Sequence, residues 1–200
     1  MWIQGGKVAK ENNVRALPGA ELPGLPLAST GSLGGLMKGS RNELWRCPAF
    51  TSHGDGLILY IKPALNQRAM FIEALAAQLG QCLNLPCPNP YIVTVNPAHV
   101  GKPKGPKFLA FGSEEANERG MAYPIRDLER VIELLDKLKL SEAVCAFDEW
   151  IANSVRSPSD VLFDPEGRAY LIDHEGAMEG HVQPDSQVTN WLGHAADRTR

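Results

Sequence analysis

The chain has 200 residues, of which 44% are hydrophobic and 22% charged, and its formal net charge is −3. That size and composition fit one compact domain, or two small lobes sharing a cleft, with a sizeable core. The near-neutral charge gives no electrostatic reason to expect nucleic acid or an anionic membrane as partner. No apolar run approaches the roughly 20 residues of a membrane helix, and the start, MWIQGGKVAKENNV, lacks the apolar stretch of a signal peptide. A cytoplasmic location is therefore expected. Cys47, Cys82, Cys87 and Cys145 form no CxxC pair and have no zinc-type histidine spacing, so reduced, mostly buried thiols are expected.

Residues 15–40 are rich in Gly, Pro, Leu and Ser and read as punctuated rather than helical. After a turn at His53-Gly54-Asp55-Gly56, the run Leu57 to Lys62 is short, apolar and β-branched, and it reads as a strand ended by Pro63. Asn66 is a candidate N-cap for a helix. Met70, Phe71, Ala74, Leu75, Leu79 and Leu83 recur along it at helical spacing, and it should stop before Pro86. Tyr91 to Val95 and Phe108 to Phe111 read as strands around a Gly-, Pro- and Lys-rich loop, and the KPKG segment at 102–105 reads as a solvated turn. An amphipathic helix follows over 125–138, with Leu128, Val131, Ile132, Leu135 and Leu138 on one face. Another runs from Ser141 to about Ala152, with Val144, Phe147, Trp150 and Ile151 on its buried side. Two short strands, Asp160 to Phe163 and Arg168 to Ile172, flank an Asp164-Pro165-Glu166-Gly167 turn, and the tail after Gly176 is polar. The order predicts an α+β fold with a strand-rich first lobe (1–112) and a short helical second lobe (113–200) within a single domain.

Lys62 ends an apolar strand, and Glu73 follows on a helix in apolar surroundings. A strand lysine aimed into a cleft binds phosphate as a point charge, and a helix glutamate can hold it in place. The competing reading is two solvated surface charges. Asn153, Arg156 and Asp160 lie on a loop between helix and hairpin, while Asp173 and His174 end the apolar strand Ala169 to Ile172. Strand-end carboxylates beside a loop suit a divalent metal, and the hairpin can bring Asp160 and Asp173 together. Each aspartate alone is equally at home in a turn. His53, His99, His181 and His194 have no ligand spacing, and Ser113 to Arg119 reads as a segment connecting the lobes or as a wet loop.

Taken jointly, Lys62 on a strand, Glu73 on a helix, a helix-to-hairpin loop and Asp173 at a strand end follow the order of the protein-kinase fold. The run Phe147 to Asn153, followed by Arg156, Asp160 and Leu171-Ile172-Asp173-His174, resembles the HipA-like kinases and, more distantly, the phosphoinositide kinases. The strand Ile61-Lys62-Pro63 and the helix EALAAQLGQCLNL are similar to the corresponding family segments, so that the resemblance covers roughly residues 57–178. It implies a two-lobed kinase-like fold with a metal-binding hairpin, binding of ATP and Mg2+, and phosphate transfer to a protein Ser or Thr. It also implies that Lys62 contacts the nucleotide phosphates with Glu73 as its orienting partner, that Asp173 is the principal magnesium ligand, and that Asp160 is a second ligand where the family usually has asparagine. Arg156 falls within the catalytic-loop pattern. In the same resemblance Ser29 to Ser40 is the phosphate-covering segment, with Ser32, Gly34 and Gly35 binding nucleotide through backbone N–H groups. His174 would be a hydrogen-bond partner at the metal site. Two positions depart from the pattern: Val155 stands where the catalytic aspartate is usual, and Ser157 replaces the usual histidine. Valine cannot accept a proton, which opens the alternative of a pseudokinase acting as a nucleotide-responsive regulatory or protein-binding module.

Overall fold

The computed structural model describes residues 24–38, 42–117 and 122–178. The start of the chain, residues 15–23 of the punctuated stretch, Gly39 and Ser40 of the candidate phosphate cover, Arg119, His181, His194 and the polar tail beyond 178 lie outside these residues.

The β-branched run ending in Lys62 does form a strand, Gly56–Lys62 (β4), and the chain before it contributes three more. These are Leu27–Thr30 (β1), Gly35–Leu36 (β2) and Trp45–Thr51 (β3); Pro90–Val95 (β5) and Phe108–Glu114 (β6) follow the first helix. Hydrogen bonding runs in the order β1-β5-β6-β4-β3-β2, and a further β1–β3 pairing closes five of the strands into a barrel. Alternate residues point inward and are buried, among them Ala28, Cys47, Ala49, Leu59, Ile61, Val93, Val95 and Ala110. Five strands enclose little space, so β1 and β3 supply mostly small side chains. At Gly112 an added Cβ would lie 2.6 Å from Val93 Cγ2, so that site admits no side chain without movement.

The sequence-based reading treats residues 15–40 as punctuated and begins its strands at Leu57; β1, β2 and β3 correct this. LAST has weak strand propensity and becomes a strand by pairing with β5 in parallel and β3 antiparallel. Pro48 in the middle of β3 argues against a central strand. It is tolerated because β2 pairs with β3 at residues 45 and 46 and β1 pairs from 49 onward, so the missing N–H falls at the seam between them. Its carbonyl still accepts the Gly31 N–H at 2.9 Å.

Helix α1, Gln67–Cys82, is capped by Asn66 Oδ1, which accepts the Ala69 N–H. Its buried face is Ile72, Glu73, Ala74, Ala76, Ala77 and Gly80, while Phe71 and Leu83 are exposed. The small residues let the helix lie closely between the barrel and a second core. That second core gathers Val131 and Leu135 of α2 (Leu128–Lys137) with Val144 and Phe147 of α3 (Ser141–Trp150). The hairpin of Val161–Phe163 (β8) and Ala169–Leu171 (β9) completes it, with Tyr123–Pro124 (β7) pairing on the outer side of β8. Gly167, at φ +80°, makes the expected tight turn and returns its N–H to the Asp164 carbonyl.

Trp150, expected in the core, is 64% exposed, while α3 completely buries the charged Asp148 alongside Val144. None of the four cysteines is in a disulfide; Cys47 and Cys87 are buried, whereas Cys82 is exposed. No helix among the described residues is long and apolar enough to cross a membrane.

Candidate active site

The barrel's β4 and β6, the start of α1 and the segments around the hairpin enclose a cleft of about 810 Å3. That volume is in the range of small-molecule sites. Lys62, the last residue of β4, projects into it and is the hub of the charged groups. Its ammonium donates to Glu73 Oε1, to Asp173 Oδ1 at 2.6 Å and to Glu175 Oε2 at 2.9 Å. Burial works against its charge, but the three carboxylates outweigh that and hold its pKa above the ordinary lysine range. Glu73, on the buried face of α1, also accepts the His174 N–H at 2.8 Å. Burial pushes the Glu73 carboxyl up; hydrogen bonding to His174 and the charge of Lys62 overcome this and bring it down to about 2. The strand lysine and helix glutamate expected from sequence are therefore joined, and the reading of two solvated charges fails.

Asp173 sits just past β9 with φ +62°, a left-handed conformation that aspartate tolerates better than most residues. Its carboxylate, Glu73 and Glu175 offer oxygens within 4.8 Å of one another. Hard carboxylate oxygens suit magnesium, which takes one or two from the protein and the rest from phosphate and water. Glu73 is already committed to Lys62 and His174, leaving Asp173 and Glu175 as the part-exposed donors. The residues present thus fit a magnesium ion.

Asp160 lines the same cleft but stands outside this trio. Its Oδ2 accepts the Ser157 N–H at 2.6 Å, closing a capping box on the short 3-10 turn Pro158–Asp160. Burial, with the Asp173 charge adding to it, raises its pKa, and the Ser157 bond only partly offsets this. Its Oδ2 is engaged in the turn, which leaves at most Oδ1 as a ligand atom.

Arg156 is not in the cleft. It is 3% exposed, and its Nε donates to Asp148 Oδ2 at 2.5 Å while Asn153 Nδ2 donates to the other Asp148 oxygen at 3.2 Å. Its Nη1 reaches the Ile172 carbonyl at 3.0 Å, the residue before Asp173. A side chain expected to be catalytic thus acts as a positioning residue: it ties α3 and the loop to the strand end that presents Asp173. Asp148 inside α3 is what draws it inward.

Ser32, Gly34 and Gly35 also lie away from the cleft lining, which is formed on that side by Met37, Lys38, Asn42 and Leu44. The Gly34 N–H is spent on the His99 carbonyl at 2.9 Å, and an added Cβ there would meet Cys47 Sγ at 2.2 Å. Gly34 serves close packing, and Gly35 pairs with Arg46 in the β2–β3 ladder. His174 is buried with its ring edge-on to Phe147; it supports Glu73 through its backbone N–H, and burial lowers its pKa.

Val155 is 46% exposed at the cleft and packs on Gly176, where an added Cβ would lie 2.2 Å from Val155 Cγ2. Glu175 and Asn42 escape a reading from sequence, because Glu175 follows the recognised Asp173-His174 pair and Asn42 is 133 residues away from it. A second acid two residues after a strand-end aspartate is the one sequence signal that could have found Glu175.

No curated protein and no solved structure matches this chain. The family model of the HipA-like kinases matches residues 42–198, a span that contains Lys62, Glu73, Asp160, Asp173 and Glu175. The chain therefore belongs to the HipA-like kinase family.

Proposed function

We propose that the cleft binds ATP with magnesium and transfers the terminal phosphate to a serine or threonine of a protein, in a two-lobed, kinase-like arrangement of barrel and helical core. The observation that carries this reading is the convergence of Lys62, Glu73 and Asp173 from a strand, a helix and a hairpin onto one point in a cleft of suitable size. Family membership supports kinase-type chemistry. When bound, magnesium neutralises phosphate charge. Lys62 binds and orients the phosphates, Glu73 fixes Lys62, Asp173 would hold the ion with Glu175 as a second donor and Asp160 on the cleft wall, and Arg156 fixes the backbone ahead of Asp173. Titration calorimetry with ATP and magnesium tests the binding step. Uptake by the wild type that falls at least about tenfold in Asp173→Asn is expected, and no uptake by folded wild type would sink the reading.

Val155 supports a second reading, a nucleotide-responsive module that transfers phosphate slowly or not at all. Valine offers no proton acceptor, and general-base help is worth about 10²–10⁴ in rate. Transfer measured with labelled ATP separates the two. Measurable wild-type transfer that rises about 10²-fold in Val155→Asp supports a kinase limited at this position. Binding without transfer in either form supports the module.

A further inference from the structure

Lys62 has three ammonium hydrogens, and all three are engaged by Glu73, Asp173 and Glu175. A phosphate oxygen arriving at Lys62 must displace one of them. Glu73 is 1% exposed and its second oxygen holds the His174 N–H, so withdrawing it would leave a buried charge uncompensated. Asp173 reaches Lys62 on a side chain one methylene shorter, from just past β9, and so has less reach to swing to another partner. Glu175 has the longer side chain and is partly exposed, and its other oxygen accepts from Asn42 Nδ2 on the connection between β2 and β3. One carboxylate thus links the lysine to the opposite wall of the cleft.

We infer that Glu175 is a positioning residue that competes with nucleotide phosphate for Lys62, and that its bond to Asn42 sets how strongly it competes. This rests on the nucleotide reading above. While Glu175 occupies Lys62 the binding-competent form is only a fraction of the population, and apparent affinity falls by that fraction. Asn42 biases Glu175 toward the engaged position without carrying charge itself. Its contribution is therefore separable from the general repulsion between the acidic trio and a nucleotide.

Calorimetric titration with ATP in the absence of magnesium tests this on the full chain, with circular dichroism confirming that each variant is folded. Glu175→Gln should bind about 5- to 20-fold tighter than wild type, and Asn42→Ala about 3- to 10-fold tighter, as expected for loss of charge-assisted hydrogen bonds. The double variant should gain no more than Glu175→Gln alone, because both act through one contact. Unchanged or weaker binding in Asn42→Ala, with wild type binding, overturns the inference even if Glu175→Gln tightens, since charge alone would then explain the effect. Tight binding by the variants where wild type binds undetectably supports it most strongly. No binding by any form without magnesium overturns this inference; the nucleotide reading falls only if wild type also takes up no ATP when magnesium is present.

Discussion

Two charged clusters draw residues from the segment after α3, Asn153 and Arg156 in one and Asp173 and Glu175 in the other, and they differ in what matters for chemistry. Arg156, Asp148 and Asn153 form a closed, buried group whose hydrogen bonds run to one another and to backbone. Lys62, Glu73, Asp173 and Glu175 form a group open to a cleft, with one cation shared among three carboxylates. The first arrangement fixes geometry; the second has partners to exchange. The presence of acids and bases does not separate them, since each pairs a cation with at least one carboxylate. Burial and the count of committed lone pairs do.

The largest expected effect tests the closed cluster. Asp148→Ala leaves the Arg156 guanidinium buried and unpaired and should cost about 3–5 kcal/mol in urea unfolding. A loss below 1 kcal/mol would mean that the pair is not the tie described here. In the open cluster, Asp173→Asn removes a part-exposed partner and should change unfolding stability by no more than about 1 kcal/mol, even as nucleotide binding drops. A large stability loss would erase the distinction between the two clusters.

A third test lies on the hairpin. Asp164 is buried and accepts from Arg168 N–H and Nε, Tyr170 Oη and Asn117 Nδ2. Burial pushes its carboxyl up, but these donors prevail and hold it at about 2. A carboxyl depressed in the folded state contributes stability above its unfolded value near 4, and that contribution is lost as pH falls through the folded value. Thermal melts between pH 5 and pH 2 should therefore be flatter in Asp164→Asn than in wild type; parallel curves would count against the assignment. The smallest effect is at Ala152, where φ is +51° just past α3. Ala152→Gly relieves that conformation and should stabilise by up to about 1 kcal/mol, read from the urea midpoint, with no change at the cleft.

How much of this was legible in the sequence depended on the range of the interactions involved. The 3.6-residue periodicity located α1, α2 and α3, and short apolar runs bounded by turn residues located β4, β5, β6 and the β8–β9 hairpin, because both signals reflect local geometry. The order of Lys62, Glu73 and Asp173, with the motif around 147–174, was enough for the family resemblance, which the family match over 42–198 bears out. Strands β1 and β3 were not legible, since LAST and a proline-bearing WRCPAFT become strands only when the barrel closes around them. Nor was the division of labour among the site residues. Arg156 turned inward because Asp148 lies buried beneath it, and Gly34 packed on Cys47 instead of facing phosphate. Glu175 entered the site because the chain after β9 returns it to Lys62. Local periodicity and residue order are written along the chain, whereas burial and long-range pairing exist only once distant segments meet in three dimensions.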